Sequence, residues 1–225
     1  MSREVESLKY IHLVRHGEPD NPKNIVYNLD ELMKKEDVIH ITNYGRHQLR
    51  ALGNVIKKLG FEVVRIRYSD QVRAVESVQA LNIALQVKDI RAEPRLKDVY
   101  APGAYLEGLS MHEWREQKGD AYDQVRWKKY SHESPESVIE RFNSVFQETA
   151  SNLEADQTAI LLSHGDPIAW FTNFKVSGKI PNSKKLRSLI YPVQGQAIVV
   201  VLDSENNIVK HYLLRDPGLL KGKSY

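Results

Sequence analysis

The chain has 225 residues, 41% hydrophobic and 27% charged, which is long enough to bury the core of one large domain. Its net charge of +3 is too even for a nucleic-acid-binding protein, and the lack of cysteine excludes disulfides, thiolate nucleophiles and cysteine-ligated metals. The first residues lack the apolar stretch of a signal peptide, and the longest apolar run, 197–202, is about a third of a membrane span. We therefore expect a cytoplasmic protein with neither nucleic acid nor membrane as a partner.

The first half of the chain alternates apolar strands with amphipathic helices. Residues 9–14 predict a buried strand, which is broken by the Arg-His-Gly sequence that follows. A helix is predicted over 42–60, because its apolar residues recur every three or four positions and a glycine follows as a left-handed stop. Residues 62–68 predict a second strand and lead into another helix. The apolar face of that helix is formed by Val75, Val78, Leu81 and Leu85.

The middle of the chain loses this regularity. Residues from approximately 94 to 133 combine turn-forming proline and glycine with many charged and aromatic side chains, without one clear period. We interpret them as an irregular, partly helical insertion within a single domain that spans residues 1–225. Ser134 and Pro135 are then typical of a helix start. The inward stripe of that helix is formed by Phe142, Val145, Phe146 and Thr149.

The last third of the chain predicts three more strands. They cover residues 157–163, 196–202 and 208–214, and an apolar helix over 168–174 follows the first of them. Strands that alternate with helices predict an α/β fold, with a mostly parallel central sheet and helices on both faces. The last two strands form a terminal pair, whose free edge offers a surface for a homodimer.

Two of the predicted strands end in a histidine that is followed by glycine. The first pair is His16-Gly17 and the second is His164-Gly165. In an open α/β sheet, ligands bind beyond the carboxyl ends of the strands. If the two strands are parallel neighbours, both imidazoles therefore emerge at the same edge of the sheet.

Two arginines add positive charge to that edge. Arg15 directly precedes the first histidine, and Arg73 lies in the first turn of the helix after the second strand. A helix N-terminus favours anions, and two guanidinium groups can clamp a tetrahedral oxyanion through several hydrogen bonds. Two arginines and two histidines together suit phosphate better than any neutral ligand.

At this point the sequence resembles the histidine phosphatase superfamily, the phosphoglycerate-mutase-like proteins. The first signature is Arg15-His16-Gly17-Glu18, and further stretches agree with the family in the same order along the chain. These stretches are Thr42–Gln48, Ser69–Arg73, Glu107-Gly108, Ser134–Ser137 and Ser163-His164-Gly165. The matches span about residues 9 to 170, which is most of the chain.

The resemblance implies a role for each residue of the signature. His16 would be the nucleophile that forms a phosphohistidine. Arg15, Arg73 and His164 would hold the phosphate oxygens and stabilise the transition state, so neither a metal nor a cofactor is needed. Asn21 is similar to an asparagine that contacts phosphate in many relatives, although its spacing differs by one residue. The irregular insertion would cap the site.

The leaving oxygen needs a proton, and the general acid is where this sequence departs from the family. A glutamate in a Leu-x-Glu context is common, whereas this chain has Asp98 after Leu96 and Lys97. Asp98 is our first candidate for the acid. Asp166 is a rival because it lies two residues after the second histidine, but capping the helix that begins near Pro167 explains it equally well. Glu107 is the third candidate.

Several functions share this set of residues. The leading hypothesis is a phosphomonoesterase whose partner is a small phosphorylated metabolite. A phosphoglycerate mutase is the first alternative, but its insertion carries an arginine-rich segment, whereas Arg115, Arg126, Lys128 and Lys129 are scattered here. A protein phosphohistidine or phosphotyrosine phosphatase is a further alternative, although small relatives of that kind lack much of the insertion. A phosphate-dependent sensor without activity is the non-enzymatic alternative.

Overall fold

A computed structural model describes residues 7–25, 27, 35, 38–101, 110, 112 and 131–214 of the chain. Within them, six strands and four α-helices alternate along the sequence. In chain order they are β1 Lys9–Arg15, α1 Asn43–Lys58, β2 Glu62–Tyr68, α2 Val72–Leu85, β3 Asp89–Ala92, α3 Pro135–Ser151, β4 Gln157–Ser163, α4 Gly165–Ser177, β5 Ala197–Leu202 and β6 Ile208–Leu214.

The six strands form one sheet in the order β3-β2-β4-β1-β5-β6. The first four strands of this order are parallel, and β5 runs antiparallel to both of its neighbours. The register between β1 and β4 pairs Val14 with Leu162 and Arg15 with Ser163. The predicted fold class, a mostly parallel sheet in an α/β fold, is confirmed, and the two histidine-bearing strands are direct neighbours.

Helices cover both faces of the sheet because the central strands carry apolar side chains on both faces. Ile11 and Leu13 pack with the apolar stripes of α3 and α4. Val14, on the opposite face of β1, packs with leucines and isoleucine of α1 and with apolar residues of α2. Strands that are buried on both faces have nearly continuous apolar sequences, as these do.

The predicted starts of α1 and α3 agree with the structure. The Thr42 side chain accepts a hydrogen bond from the Gly45 backbone N–H and caps α1. Ser134 caps α3 in the same way, through the backbone N–H of Ser137. Gly60 follows α1 with a φ of 81°, a left-handed conformation that favours glycine.

Two elements differ from the sequence prediction. The short strand β3 was not predicted, because Asp89–Ala92 contains one large apolar residue and pairs only with β2. Helix α4 begins at Gly165, with His164 in the N-cap position, rather than near Pro167. Asp166 therefore lies inside the first turn of α4, and its interpretation as the cap of that helix is wrong.

The predicted insertion lies mostly outside the described residues. Its described start forms a short 3-10 helix, Pro94–Leu96, which leads into Asp98. The edge strand β6 exposes Val209 and Leu213, and the homodimer through this edge stays a prediction. Among the helices that the structure describes, none is long and apolar enough to cross a membrane.

Candidate active site

The two histidine pairs meet at the carboxyl end of the sheet. Because β1 and β4 are parallel neighbours, the chain leaves both strands at the same edge, and the backbone N–H of His16 donates to the Ser163 carbonyl at 3.0 Å. The ring centroids of His16 and His164 lie 5.2 Å apart. Both side chains are almost fully buried. The juxtaposition that the sequence predicts is therefore present.

One ring nitrogen of His16 is held by the backbone. Its Nδ1 lies 2.7 Å from the carbonyl oxygen of Gly17, which can only accept, so Nδ1 carries the proton and Nε2 keeps a free lone pair. Burial lowers the pKa of His16 well below its usual value, and the charges of Arg73 and Arg15 lower it further. The imidazole is therefore neutral, with Nε2 available as a nucleophile.

Two glycines permit this backbone path. A Cβ on Gly17 would lie 2.6 Å from the Gly45 carbonyl oxygen, and a Cβ on Gly45 would lie 2.6 Å from the carbonyl oxygen of Glu18. The start of α1 thus packs directly against the loop that carries His16. The close approach gives a physical reason for glycine at both positions.

His164 is held at Nε2, whereas His16 is held at Nδ1. Its Nε2 lies 2.8 Å from the Ser69 hydroxyl, whereas Nδ1 lies 3.7 Å from Oδ2 of Asp98. Nδ1 is buried and has no hydrogen-bond partner within the described part of the chain. Burial lowers the pKa of His164 well below its usual value, with a further contribution from the Arg73 charge. This ring is also neutral, and its Nδ1 faces the carboxyl group of Asp98.

The two arginines flank the imidazoles. Arg73 is fully buried, although it lies in the first turn of α2, and the Tyr27 ring centroid is 5.0 Å from its Cζ. Arg15 donates from Nη1 to the Pro192 carbonyl at 3.0 Å, and its Cζ lies 5.3 Å from the centre of the Tyr191 ring. The Nε of Arg15 is buried without a hydrogen-bond partner among the described residues. A buried donor of this kind is consistent with a site for an external anion.

Asp98 is the acidic residue that joins this group. Its Oδ2 accepts from Nη2 of Arg73 at 3.0 Å. Burial raises the pKa of Asp98, the Arg73 charge opposes this rise, and the Asp166 charge adds to it. The net effect keeps the carboxyl protonated to a higher pH than an exposed aspartate, which is the form that a proton donor requires.

The backbone around Asp98 is held by three side chains. Its backbone N–H donates to Oε1 of Gln71 at 2.7 Å. The Arg141 guanidinium donates to the carbonyls of Arg95, Lys97 and Asp98 at 2.6, 2.8 and 3.1 Å. Glu133 in turn accepts from Nε of Arg141 at 2.7 Å. Because these are charge-assisted hydrogen bonds, the segment before the insertion is fixed on α3.

The structure does not bring every predicted candidate into this group. Asn21 uses both ends of its side-chain amide within its own loop, on the carbonyl and the N–H of Ile25 at 2.8 and 3.1 Å. Asp166 accepts the hydroxyl of Tyr191 at 2.6 Å instead. Glu107 lies outside the described residues. Their roles in binding or catalysis stay predictions.

Glu18 and three further histidines differ in their surroundings. Glu18 accepts from the hydroxyl of Thr42 at 3.2 Å and so contributes to the start of α1. His47 and His112 are exposed. His132, in contrast, is only 6% exposed.

His12 is a buried histidine of β1. Both of its ring nitrogens lack a hydrogen-bond partner among the described residues. Its ring packs edge-on against Phe61, with centroids 4.7 Å apart.

The sequence did not reveal several residues that complete the site. Ser69 lies in a stretch that matches the family, yet its contact with His164 depends on the pairing of β2 with β4. Arg141 and Tyr191 reach the site from α3 and from the segment before β5, far from the histidines in sequence. Only the tertiary fold brings them there.

The arrangement is a cationic pocket that contains a neutral imidazole and a carboxyl group with a raised pKa. These groups can bind a tetrahedral oxyanion, attack its central atom from Nε2 of His16, and protonate a leaving oxygen. Across the described ranges, no group of three or more histidine, aspartate or glutamate residues is arranged to hold a metal ion.

Comparison with known proteins gives a consistent result. The family model of the histidine phosphatase superfamily (branch 1) matches residues 11–189. A search of curated protein sequences finds no significant match.

Solved structures share the fold. YhfR of Bacillus stearothermophilus is 19% identical with a TM-score of 0.69, covering 89% of this chain and 94% of that chain. A mycobacterial glucosyl-3-phosphoglycerate phosphatase in complex with VO3 is 18% identical with a TM-score of 0.63, covering 85% and 92%. The alpha-ribazole phosphatase from Shigella flexneri is 15% identical with a TM-score of 0.62, covering 89% and 94%.

Proposed function

The chain belongs to branch 1 of the histidine phosphatase superfamily, and on that premise we propose that it is a phosphomonoesterase that hydrolyses a small phosphorylated metabolite without a metal ion. The observation that carries the proposal is the contact between Nδ1 of His16 and the Gly17 carbonyl, from which the tautomer of the ring follows. Its Nδ1 is committed to the Gly17 carbonyl, and the neutral Nε2 lies in a pocket with two arginines. A neutral imidazole with a fixed tautomer is suited to attack phosphorus.

The first chemical step transfers the phosphoryl group to the protein. The Nε2 lone pair of His16 forms a bond to phosphorus as the bond from phosphorus to the ester oxygen breaks. Asp98 gives its proton to that leaving oxygen, so that the alcohol departs neutral. The raised pKa of Asp98 supports this role.

The second step regenerates the enzyme. Water attacks the phosphohistidine, the bond from phosphorus to Nε2 breaks, and the Asp98 carboxylate takes up the proton that the water loses. Inorganic phosphate then leaves. The same carboxyl group thus gives a proton in one step and receives one in the next.

The arginines and His164 stabilise the charge on the phosphoryl oxygens in both steps. Nε of Arg15 and Nδ1 of His164 are buried and have no hydrogen-bond partner in the described ranges, which supports a role for both in binding these oxygens. When the Ser69 hydroxyl donates to Nε2 of His164, the ring proton lies on Nδ1 and is available to the phosphate. Fixed cations and dipoles of this kind stabilise the transition state without reorganisation.

The test measures phosphate release from p-nitrophenyl phosphate and from a panel of small phosphomonoesters. We expect wild type to turn over, and we expect His16→Ala to lose at least about 10³-fold in kcat, because the nucleophile is gone. The matched control is His47→Ala, which removes an exposed histidine from α1 and should keep full activity. Equal rates for wild type and His16→Ala would refute the proposal, and phosphoryl exchange between substrates without phosphate release would indicate a mutase instead.

The acid is tested separately with Asp98→Asn. We expect this variant to lose about 10²-fold or more on an alkyl phosphate but much less on p-nitrophenyl phosphate, whose leaving group needs little protonation. The pattern depends on the leaving group, so a general loss of folding does not reproduce it. An equal loss on both substrates would move the acid role to another carboxylate.

A further inference from the structure

Two residues beside the site have contacts that the proposed mechanism does not use. Tyr191 donates its hydroxyl to Oδ1 of Asp166 at 2.6 Å, and its ring lies under the guanidinium of Arg15. Tyr191 is just outside residues 11–189, the range that the family model matches. Asp166 lies in the first turn of α4, where the positive end of the helix dipole favours a carboxylate.

The start of α4 is packed against both partners of this contact. A Cβ on Gly165 would lie 2.6 Å from the Tyr191 hydroxyl oxygen and 2.9 Å from Cζ of Arg15. The tyrosine and the arginine therefore occupy the space that any other residue at position 165 would fill. Arg15 is confined by the Tyr191 ring, by the start of α4 and by the carbonyl of Pro192, which accepts from its Nη1.

We propose that Asp166 and Tyr191 form a positioning pair, which fixes the guanidinium of Arg15 for phosphate binding. The inference rests on the proposed function, because it assigns the pair to the same site. Neither residue exchanges a proton or forms a bond with the substrate. Their effect passes through Arg15, against which the Tyr191 ring is held by its hydrogen bond to Asp166.

The proposal is tested with inorganic phosphate and vanadate as ligands, measured by calorimetry and thermal shift without turnover. Tyr191→Leu removes the ring beside Arg15, and we expect the Kd for phosphate to rise about tenfold, the range of a desolvated cation–π contact. Tyr191→Phe keeps the ring but loses the hydrogen bond to Asp166, so it should recover only part of this affinity. A Kd within twofold of wild type for Tyr191→Leu would overturn the proposal, and full recovery in Tyr191→Phe would remove Asp166 from it.

A failure of the proposed function and a failure of the positioning pair give different results. A wild-type protein that neither binds phosphate nor hydrolyses any ester would refute the proposed function together with this inference. A wild-type protein that does both, while its Tyr191→Leu variant behaves like wild type, would refute the positioning pair alone. Thermal melting of each variant without ligand distinguishes a loss of folding from a loss of positioning.

Discussion

The two histidine-glycine pairs look alike in sequence, but the fold anchors them differently. His16 is held at Nδ1 by a backbone carbonyl, and His164 is held at Nε2 by the hydroxyl of Ser69. A carbonyl oxygen only accepts, so it permits one neutral tautomer. A hydroxyl both donates and accepts, so it is compatible with either protonation pattern of the ring.

The difference assigns different chemistry to the two rings. His16 is restricted to the form with a free Nε2 lone pair, which a nucleophile needs. His164 keeps a partner when its charge or tautomer changes, which suits a group that follows the changing charge of the phosphoryl oxygens. In the proposed mechanism, the anchoring atom rather than the histidine itself separates the nucleophile from the stabilising group.

The largest expected effect comes from replacing each histidine with glutamine. His16→Gln should form no phosphoenzyme, since no nucleophile is left. His164→Gln should lower kcat by about 10²- to 10³-fold, the usual cost of one oxyanion donor, yet still form the intermediate slowly. Single-turnover measurements with p-nitrophenyl phosphate compare the two variants. A phosphoenzyme in His16→Gln would reverse the assignment.

A third histidine, His12 on β1, is anchored at neither nitrogen and extends the comparison. Burial lowers its pKa from 6.5 to about 3, so the unfolded chain binds a proton that the folded protein rejects. Stability is therefore lost as pH falls below 6.5. His12→Leu should remove this loss, and the gain in unfolding free energy over wild type should grow by about 2 kcal/mol between pH 8 and pH 5.

Urea denaturation of wild type and His12→Leu at several pH values measures this effect. The control is His47→Leu, which replaces an exposed histidine instead of a buried one. A constant difference between wild type and His12→Leu from pH 8 to pH 5 would contradict the prediction.

A smaller effect is expected when the anchor of His164 is removed. Ser69→Ala deletes the hydroxyl at 2.8 Å from Nε2 and should lower kcat about tenfold, with little change in KM, because the ring loses its fixed orientation. Ser69→Thr keeps the hydroxyl and should recover part of the rate. A rise in KM at constant kcat would instead indicate that Ser69 serves substrate binding.

The sequence predicted the elements and residues whose signals are local. Long apolar runs identified β1 and β4, and the polar residues after them identified His16 and His164. The sequence could not choose between Asp98 and Asp166, because that choice depends on which carboxylate meets Arg73 and which meets Tyr191.

Residues that act through long-range contacts gave no local signal. Arg141 is an ordinary polar position of an amphipathic helix, and its three carbonyl contacts exist only after α3 packs beside the 3-10 helix. Strand β3 was missed for a similar reason, since its pairing with β2 rather than its own sequence makes it a strand.

The last prediction concerns the smallest change, because the protonation of His16 should stay constant across the measured pH range. In ¹⁵N spectra of histidine side chains, His16 should stay neutral with the proton on Nδ1 from pH 7.5 down to 5.5, because its pKa is well below the usual value. The exposed His47 on α1 serves as the internal reference. Signals of His16 that follow those of His47 would show that the site does not hold it neutral.

The most direct test of the account traps the covalent intermediate. The enzyme is mixed with a phosphomonoester, quenched under alkaline conditions that preserve phosphohistidine, digested, and mapped by mass spectrometry. We expect a phosphoryl group on His16, none on His164, and no modified peptide in His16→Ala. Turnover with the phosphoryl group on any other residue, or with no protein-bound phosphoryl group, would contradict it.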